Sequence, residues 1–181
     1  MKQPSMLKKL RGSQKGFTLI ELIIVIALTG IIAAAATMAI HQVLTGTALS
    51  NDLNTAINQV RNAGHWISRD ALMAQSVEPD EDDDTGFPLT LTWTEYGDDA
   101  DEHQVVYRLE NNKLQREHYT NRDTNPDPDA TTFVAQFIDP TPAKTNCDFT
   151  DGVLTVNITA EVNDKKETRT FQVKPRPDPV S

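Results

Sequence analysis

The longest pattern in the chain is an apolar run near its start. From Phe17 to Ile40 there are 24 residues, and Glu21 is the only charged one among them. A helix crosses the hydrocarbon core of a bilayer with about 20 residues, so the run is long enough to span a membrane. A carboxylate inside such a segment costs about 3 kcal/mol at the bilayer centre and usually marks a functional residue with a partner. The pattern therefore predicts a transmembrane helix whose Glu21 needs a partner.

The apolar pattern continues beyond Ile40 with a different spacing. Apolar residues recur there at steps of three and four, which is the period of an amphipathic helix. Polar residues such as Arg61 and Asp70 fall between them and are assigned to the exposed face. No proline occurs from Phe17 to Val77, and Pro79 provides a stop. We predict one continuous helix of about 60 residues, embedded over its first half and packed on a soluble domain over its second. The apolar positions of the second half are Leu49, Leu53, Ala56, Ile57, Val60, Ala63, Gly64, Ile67, Ala71 and Ala74.

The rest of the chain has the two-residue period of strands. Residues 87–94 alternate apolar side chains with a Thr-rich face, as a half-buried strand does. Asn111 and Asn112 tolerate positive φ and separate two apolar-patterned runs, so they predict a two-residue hairpin turn. The register of that hairpin places Leu109 opposite Leu114, Tyr107 opposite Arg116 and Val105 opposite His118.

Three further strands are predicted towards the C-terminus. They cover 131–138, 153–162 and 167–173, and the last two are joined around Asn163-Asp164-Lys165. The prolines at 140 and 142 and the region around Cys147 are predicted to be irregular. About six strands thus follow one long helix instead of alternating with helices, which indicates the α+β class with an antiparallel sheet.

Charge is distributed unevenly along the chain. The net charge is −9, but residues 1–16 carry five Lys or Arg side chains and no acid, so the chain without them has a charge of −14. The next basic residue after Lys15 is Arg61, and the positive-inside rule therefore places the N-terminus in the cytoplasm. An acidic protein of this kind lacks the basic surface needed to bind nucleic acid. The single Cys147 cannot form a disulfide within the chain, and we expect it to be a small buried or loop residue.

The segment at the start of the apolar run resembles a known processing motif. Gly16-Phe17-Thr18-Leu19-Ile20-Glu21, preceded by basic residues, is similar to the cleavage motif of the type IV prepilin family, which includes pilins and type II secretion pseudopilins. The resemblance implies that prepilin peptidase cuts between Gly16 and Phe17 and methylates the new N-terminus on Phe17. Glu21 then becomes the fifth residue of the mature chain, where the family keeps a glutamate.

The resemblance also implies a role and a location. The expected protein is a structural minor subunit, a pseudopilin or minor pilin, of a type II secretion or type IV pilus filament. It would reside in the bacterial inner membrane with a cytoplasmic N-terminus and a periplasmic C-terminal domain, in contact with lipid, an assembly platform and other subunits, and then enter the filament. Short tracts from His65 to Val77 and around residues 106–116 resemble the pseudopilin J / minor pilin W group. The expected organisation is a leader (1–16), a transmembrane and assembly segment (17–40), an amphipathic helix half (41–77), a β-rich domain (78–174) and a loose tail (175–181).

Three alternatives concern the start and the class of the protein. An ordinary secretory signal would be cleaved near the run Ala33 to Ala36, but the length of the apolar run and Glu21 within it disfavour that interpretation. Translation from Met6 instead of Met1 would shorten the leader without changing the mature chain. In the alternative function the protein is a pilin-like adhesin or DNA-uptake subunit whose acidic loops bind a ligand, and the charge of −14 disfavours DNA.

The polar residues suggest only a few sites. The new amine on Phe17 of a staggered neighbouring subunit would pair with Glu21 and fix the axial register, since a misaligned subunit would leave a buried charge unpaired. In the alternative, Glu21 serves only for recognition by the peptidase or the assembly platform. Asp80, Asp82 and Asp84 are candidate calcium ligands, although the run lacks the spacing of an EF-hand and is more typical of a solvated loop. No cofactor is otherwise expected. The sequence has no nucleophile elbow, phosphate loop or metal-ligand spacing of histidines, so no enzymatic activity is predicted.

Overall fold

The computed structural model describes residues 16–95 and 100–176. It divides into two compact units, Met1–Gly46 and Thr47–Ser181. The predicted leader up to Lys15, with its two possible start residues, lies outside the described residues. So do residues 96–99 and the part of the predicted tail beyond residue 176.

A single helix, α1, runs from Leu19 to Met73 and has 55 residues. It is long and apolar enough to cross a membrane, and none of its most apolar window is buried. The helix ends before Val77, its predicted last residue, because Ser76–Glu78 pairs as a strand with residues 90–92.

The eight strands in residues 16–95 and 100–176 all pair antiparallel and form two sheets. A five-stranded sheet follows chain order, and a three-stranded sheet is built from the C-terminal part of the chain. The predicted α+β class, with a long N-terminal helix and an antiparallel sheet domain, is confirmed. The strands of the first sheet are β1 Ser76–Glu78, β2 Leu89–Thr94, β3 Glu102–Glu110, β4 Lys113–Thr120 and β5 Ala130–Gln136; those of the second are β6 Asn146–Thr150, β7 Val153–Val162 and β8 Lys165–Val173.

Both predicted hairpins have the turn chemistry that their sequences require. Asn111 and Asn112 have φ of 51° and 60°, and Asn163 and Asp164 have φ of 45° and 66°. Positive φ at both central residues defines the turn whose twist matches that of the flanking strands. The predicted β3–β4 register is confirmed at all three predicted pairs, Leu109↔Leu114, Tyr107↔Arg116 and Val105↔His118.

The prediction of irregular structure around Cys147 is wrong. Asn146–Thr150 forms β6, an edge strand that pairs with β7 along its whole length. Its five residues include the charged Asp148, and Cys147 is its only buried residue. The segment therefore lacks the alternation that identifies longer strands, and it is β7 that holds it in place.

The core of the second unit lies between the C-terminal half of α1 and the two sheets. Apolar side chains of the helix pack there with the inward faces of β2, β3, β4 and β7. Gly64 is required at one contact, because a Cβ at this position would lie 2.1 Å from Cζ of Phe171 on β8. Alternate residues of β7 are buried, namely Leu154, Val156, Ile158 and Ala160. The fully buried apolar residues of the helix are Ala56, Val60, Ala63, Ile67 and Ala71.

Candidate functional site

The N-terminus of α1 is closed by a reciprocal pair of side chains, Thr18 and Glu21. The hydroxyl oxygen of Thr18 accepts a hydrogen bond from the backbone N–H of Glu21 at 3.3 Å. In return, Oε2 of Glu21 accepts from the backbone N–H of Thr18 at 3.4 Å and from its hydroxyl at 3.3 Å. This is a capping box, which satisfies two amides that the first helical turn leaves without partners. A negative charge at this end of a helix is also favoured by the helix dipole.

The predicted cleavage residues come directly before this cap. Gly16 and Phe17 precede the helix and are exposed, with Phe17 at 80% of its maximum. A Cβ added to Gly16 would meet nothing within 4 Å. The structure thus brings the three predicted residues, Gly16, Phe17 and Glu21, together at the start of α1, with the bond between Gly16 and Phe17 accessible.

The apolar surface of the first unit is continuous and exposed. Its large side chains are between 47% and 80% exposed, whereas soluble proteins rarely expose extended apolar patches. The surface therefore suits lipid or the helices of other subunits. The side chains concerned are Phe17, Leu19, Ile20, Leu22, Ile23, Ile24, Val25, Ile26, Leu28, Ile31, Ile32, Met38, Ile40, Val43 and Leu44.

Another acid on the same helix, Asp70, is fully buried, so its assignment to the exposed face is wrong. Its Oδ2 accepts hydrogen bonds from the hydroxyl of Tyr107 and from Nε of Arg116, both at 2.6 Å. Its Oδ1 accepts from Arg69 at 3.3 Å. The guanidinium groups of Arg69 and Arg116 lie 4.2 Å and 5.3 Å from the ring centre of Trp66. Asp70 thus ties the helix to β3 and β4.

The surroundings of Tyr107 and Arg116 keep both side chains protonated. Burial, reinforced by the charge of Asp70, raises the pKa of Tyr107 well above its ordinary value, so the phenol remains a donor. Burial alone would lower the pKa of Arg116, but its hydrogen bond and charge pairing with Asp70 raise it overall. The three groups form a satisfied ionic cluster.

The sequence contained a signal for this cluster. Asp70 is three residues after Ile67 and four before Ala74, so it belongs to the apolar stripe by helical spacing. The predicted hairpin register already placed Tyr107 opposite Arg116, which puts a phenol and a guanidinium side by side on one face of the sheet. The buried acid Asp70 on the helix and the two donors Tyr107 and Arg116 on the sheet are therefore complementary.

The candidate calcium residues lie in a loop whose acids bind their own backbone. Asp80 accepts a hydrogen bond from the N–H of Asp82 at 2.9 Å, and Asp84 is exposed. The hydroxyl and the N–H of Thr85 donate to Asp83, which lowers the pKa of that carboxyl. Within the described residues, no three His, Cys, Asp or Glu side chains are arranged to hold a metal ion.

Cys147 lines a cleft of about 340 Å³ beside this acidic loop. Its thiol is buried and donates to the carbonyl oxygen of Gly86 at 3.0 Å. Burial, together with nearby acids, raises the pKa of the thiol to about 12. A thiol that stays protonated is a poor nucleophile, so the cysteine acts as a small core residue.

Two of the four histidines stack with a tryptophan at the end of the first sheet. The rings of Trp93 and His103 are 5.5 Å apart, and those of His103 and His118 are 5.3 Å apart. Nε2 of His103 is 3.0 Å from a carboxylate oxygen of Glu95. Burial, and then the charges of Arg116 and His103, lower the pKa of His118. The parallel stacking of the rings packs them against one another and does not direct their nitrogens to a common point.

Comparison with known proteins bears on the N-terminal segment alone. Residues 11–37 match the family described as the prokaryotic N-terminal methylation motif. No curated protein and no solved structure matches the chain. The matched range contains the exposed Gly16–Phe17 bond, the capping box and the first part of the apolar helix surface.

The match and the fold together bear on the class of protein. They support a type IV pilin-like precursor that is processed by prepilin peptidase and assembles with other pilin subunits. The long apolar helix is consistent with anchoring in the inner membrane before assembly.

Proposed function

We propose that this chain is a minor subunit, a pseudopilin or minor pilin, of a type II secretion or type IV pilus filament. The observation that supports it most directly is the position of the methylation motif. The match at residues 11–37 coincides with the start of a 55-residue helix whose first half exposes an extended apolar surface. Such a surface serves first as a membrane anchor and then as the contact between helices in a filament.

The charge distribution supports the orientation in this proposal. The basic leader remains in the cytoplasm, and the acidic C-terminal domain is in the periplasm. Prepilin peptidase cuts between Gly16 and Phe17 and methylates Phe17. A mature chain that begins with Phe17 can be recognised by N-terminal sequencing and by the mass of one added methyl group. A mature chain that begins near Thr37 would instead indicate an ordinary signal peptide and refute the proposal.

Glu21 then acts as the alignment charge during assembly. Both of its hydrogen bonds use Oε2, which leaves Oε1 available to the methylated amine of a neighbouring subunit. Because the cap is made within the chain, substitutions can separate capping from charge. Glutamine at position 21 preserves the capping box but removes the charge, whereas alanine removes both.

The test compares Glu21→Gln and Glu21→Ala in cells that make the other subunits. If the charge aligns subunits, both variants are cleaved normally and both fail to enter the filament. Normal assembly of Glu21→Gln with defective assembly of Glu21→Ala would show that only the cap matters. Capture of the native protein from membranes, followed by identification of its neighbours, distinguishes a secretion channel from a pilus.

A further inference from the structure

The outer edge of β5 differs from the other sheet edges of this protein. β5 is the last strand of the five-stranded sheet, and only β4 pairs with it in the part of the chain that the structure describes. Ala130, Thr131, Thr132 and Phe133 are all exposed, and Phe133 retains 57% of its accessible surface. An edge strand presents backbone groups that can pair with another chain, and charges, proline or short length usually protect it. The seven residues of β5 include no charged residue and no proline.

The other three edges carry such protection. β1 has only three residues, and the backbone N–H of Cys147 on β6 donates to the carbonyl oxygen of Thr85 at 2.8 Å. β8 carries four charged side chains along nine residues, Lys165, Lys166, Glu167 and Arg169. Among the described strands, β5 therefore has the edge best suited to pairing.

The hairpin geometry shows which backbone groups of β4 face β5. In a two-residue hairpin the flanking residues, here Glu110 and Lys113, exchange both backbone hydrogen bonds. Backbone direction alternates along a strand, so the N–H and C=O groups of Arg116 and His118 point towards β5. The hydrogen bond from the N–H of Asp129 to the carbonyl oxygen of His118, at 2.8 Å, agrees with this direction.

The same alternation identifies the open groups of β5. Thr132 is the partner of Arg116 and turns its backbone towards β4. The neighbouring residues, Thr131 and Phe133, therefore turn their N–H and C=O groups away from the sheet. Together they offer two donors and two acceptors to an added strand.

A side chain closes the far end of this edge. The backbone N–H of Gln136 donates to Oε1 of Gln59 on α1 at 2.7 Å. Between Phe133 and Gln136, the residues Val134 and Ala135 are buried. The β4–β5 register also shifts there, at Leu114/Gln115 on β4. The open segment is therefore Ala130–Phe133, long enough for a short strand of about five residues.

The surrounding charges restrict what can bind there. The loop before β5 carries exposed carboxylates at Asp123, Asp127 and Asp129. These charges favour basic residues beside the added strand. A second copy of this chain would bring its own net charge of −9, and two such chains repel one another. The edge thus suits a partner that is less acidic than the chain itself.

We propose that Ala130–Phe133 receives an extended, uncharged strand of a different protein, added antiparallel to β5 and followed by basic residues. In the antiparallel orientation the C-terminal end of the added strand lies beside the acidic loop before β5, so its basic residues face Asp127 and Asp129. Main-chain hydrogen bonds provide affinity and the flanking charges provide orientation, as in other cases of strand addition. The proposal does not depend on the filament role, because it concerns the isolated chain and a peptide.

The probe is a fluorescent peptide, Thr-Val-Thr-Val-Thr-Lys-Lys, and the readout is its anisotropy with the full-length chain in lipid nanodiscs. Thr131→Pro removes one outward N–H and is expected to weaken binding at least about tenfold. Gln172→Pro is the matched control, because it removes an outward N–H from the edge of β8 by the same alternation, and it leaves binding unchanged. A peptide that ends in Glu-Glu binds more weakly than the Lys-Lys peptide.

A second variant covers the case in which Thr131→Pro fails to fold. Phe133→Lys places a charge on the open edge without removing a backbone donor, and it also weakens binding of the Lys-Lys peptide. No binding to the wild-type chain, or equal binding to wild type and both β5 variants, overturns the proposal. Sedimentation that shows a wild-type dimer dispersed by Thr131→Pro overturns the choice of partner in favour of a second copy.

Discussion

Replacing the buried carboxylate of Asp70 by an amide tests how α1 is attached to the first sheet. Asp70→Asn keeps the size of the side chain but removes the charge that Arg116 and Tyr107 both bind at 2.6 Å. The side chain of Arg116 is only 12% exposed, so the substitution leaves a largely desolvated guanidinium without a counter-charge. The expected result is a large loss of stability with little change in the shape of the core.

The magnitude follows from the burial of each group. Loss of a hydrogen bond to a charged group costs about 1.5–3 kcal/mol, and removal of one partner from a buried ion pair costs about 3–5 kcal/mol. Arg116 retains some access to water and lies near the ring of Trp66. The expected loss of unfolding free energy for Asp70→Asn is therefore about 3 kcal/mol. Since small domains are stable by about 5–15 kcal/mol, this would be a substantial fraction of the total.

Urea denaturation followed by tryptophan fluorescence measures this loss. Trp66 and Trp93 are the only tryptophans, and Trp66 lies against Arg69 and Arg116. Asp52→Asn is the control, because Asp52 lies on the same helix and accepts only a long bond of 3.4 Å from Asn163; its expected cost is below about 0.5 kcal/mol. A loss below about 1 kcal/mol for Asp70→Asn would refute the argument that Arg116 needs the charge.

Two further predictions concern packing and pH. Gly64→Ala places a methyl group where the ring of Phe171 lies, so it is expected to destabilise the chain by about 1–3 kcal/mol. Adding Phe171→Leu to the same chain should recover part of that loss. An unchanged urea midpoint for Gly64→Ala would contradict the close contact. The hydrogen bonds from Lys144 and Thr141 lower the pKa of Asp139 to about 2, below the unfolded value, so this carboxyl stabilises the fold above pH 4 and loses that contribution as the pH falls towards 2. NMR titration of the Asp139 carboxyl carbon measures this pKa directly, and a midpoint near 4 would show that the pair with Lys144 does not hold in solution.

The parts of the fold that follow from local rules could be predicted from the sequence. The steps of three and four from Ala56 to Ala74 identified the buried side of the helix, and the Asn111-Asn112 turn fixed the β3–β4 register. Both signals depend on neighbours in sequence, where period and turn chemistry decide the structure. The cleavage motif and its position at the start of the helix could be recognised for the same reason.

The parts that depend on long-range pairing could not be predicted in this way. Ser76–Glu78 continues the helical pattern, but its pairing with β2 ends the helix. Asn146–Thr150 has no periodic signal, and its pairing with β7 makes it a strand. The division of eight strands into two sheets likewise depends on which edges meet in space, which no local window of sequence records.

Two of the acids of α1, Glu21 and Asp70, illustrate how the source of a partner determines a role. Asp70 obtains three donors within its own chain, so its cost of burial is offset whenever the domain folds. Glu21 obtains only the amide and hydroxyl of Thr18, at 3.4 and 3.3 Å, which are long for hydrogen bonds to a carboxylate. In an apolar environment that cap leaves most of the charge uncompensated. Under the proposed function, the methylated amine of Phe17 in the next subunit supplies the compensation for Glu21.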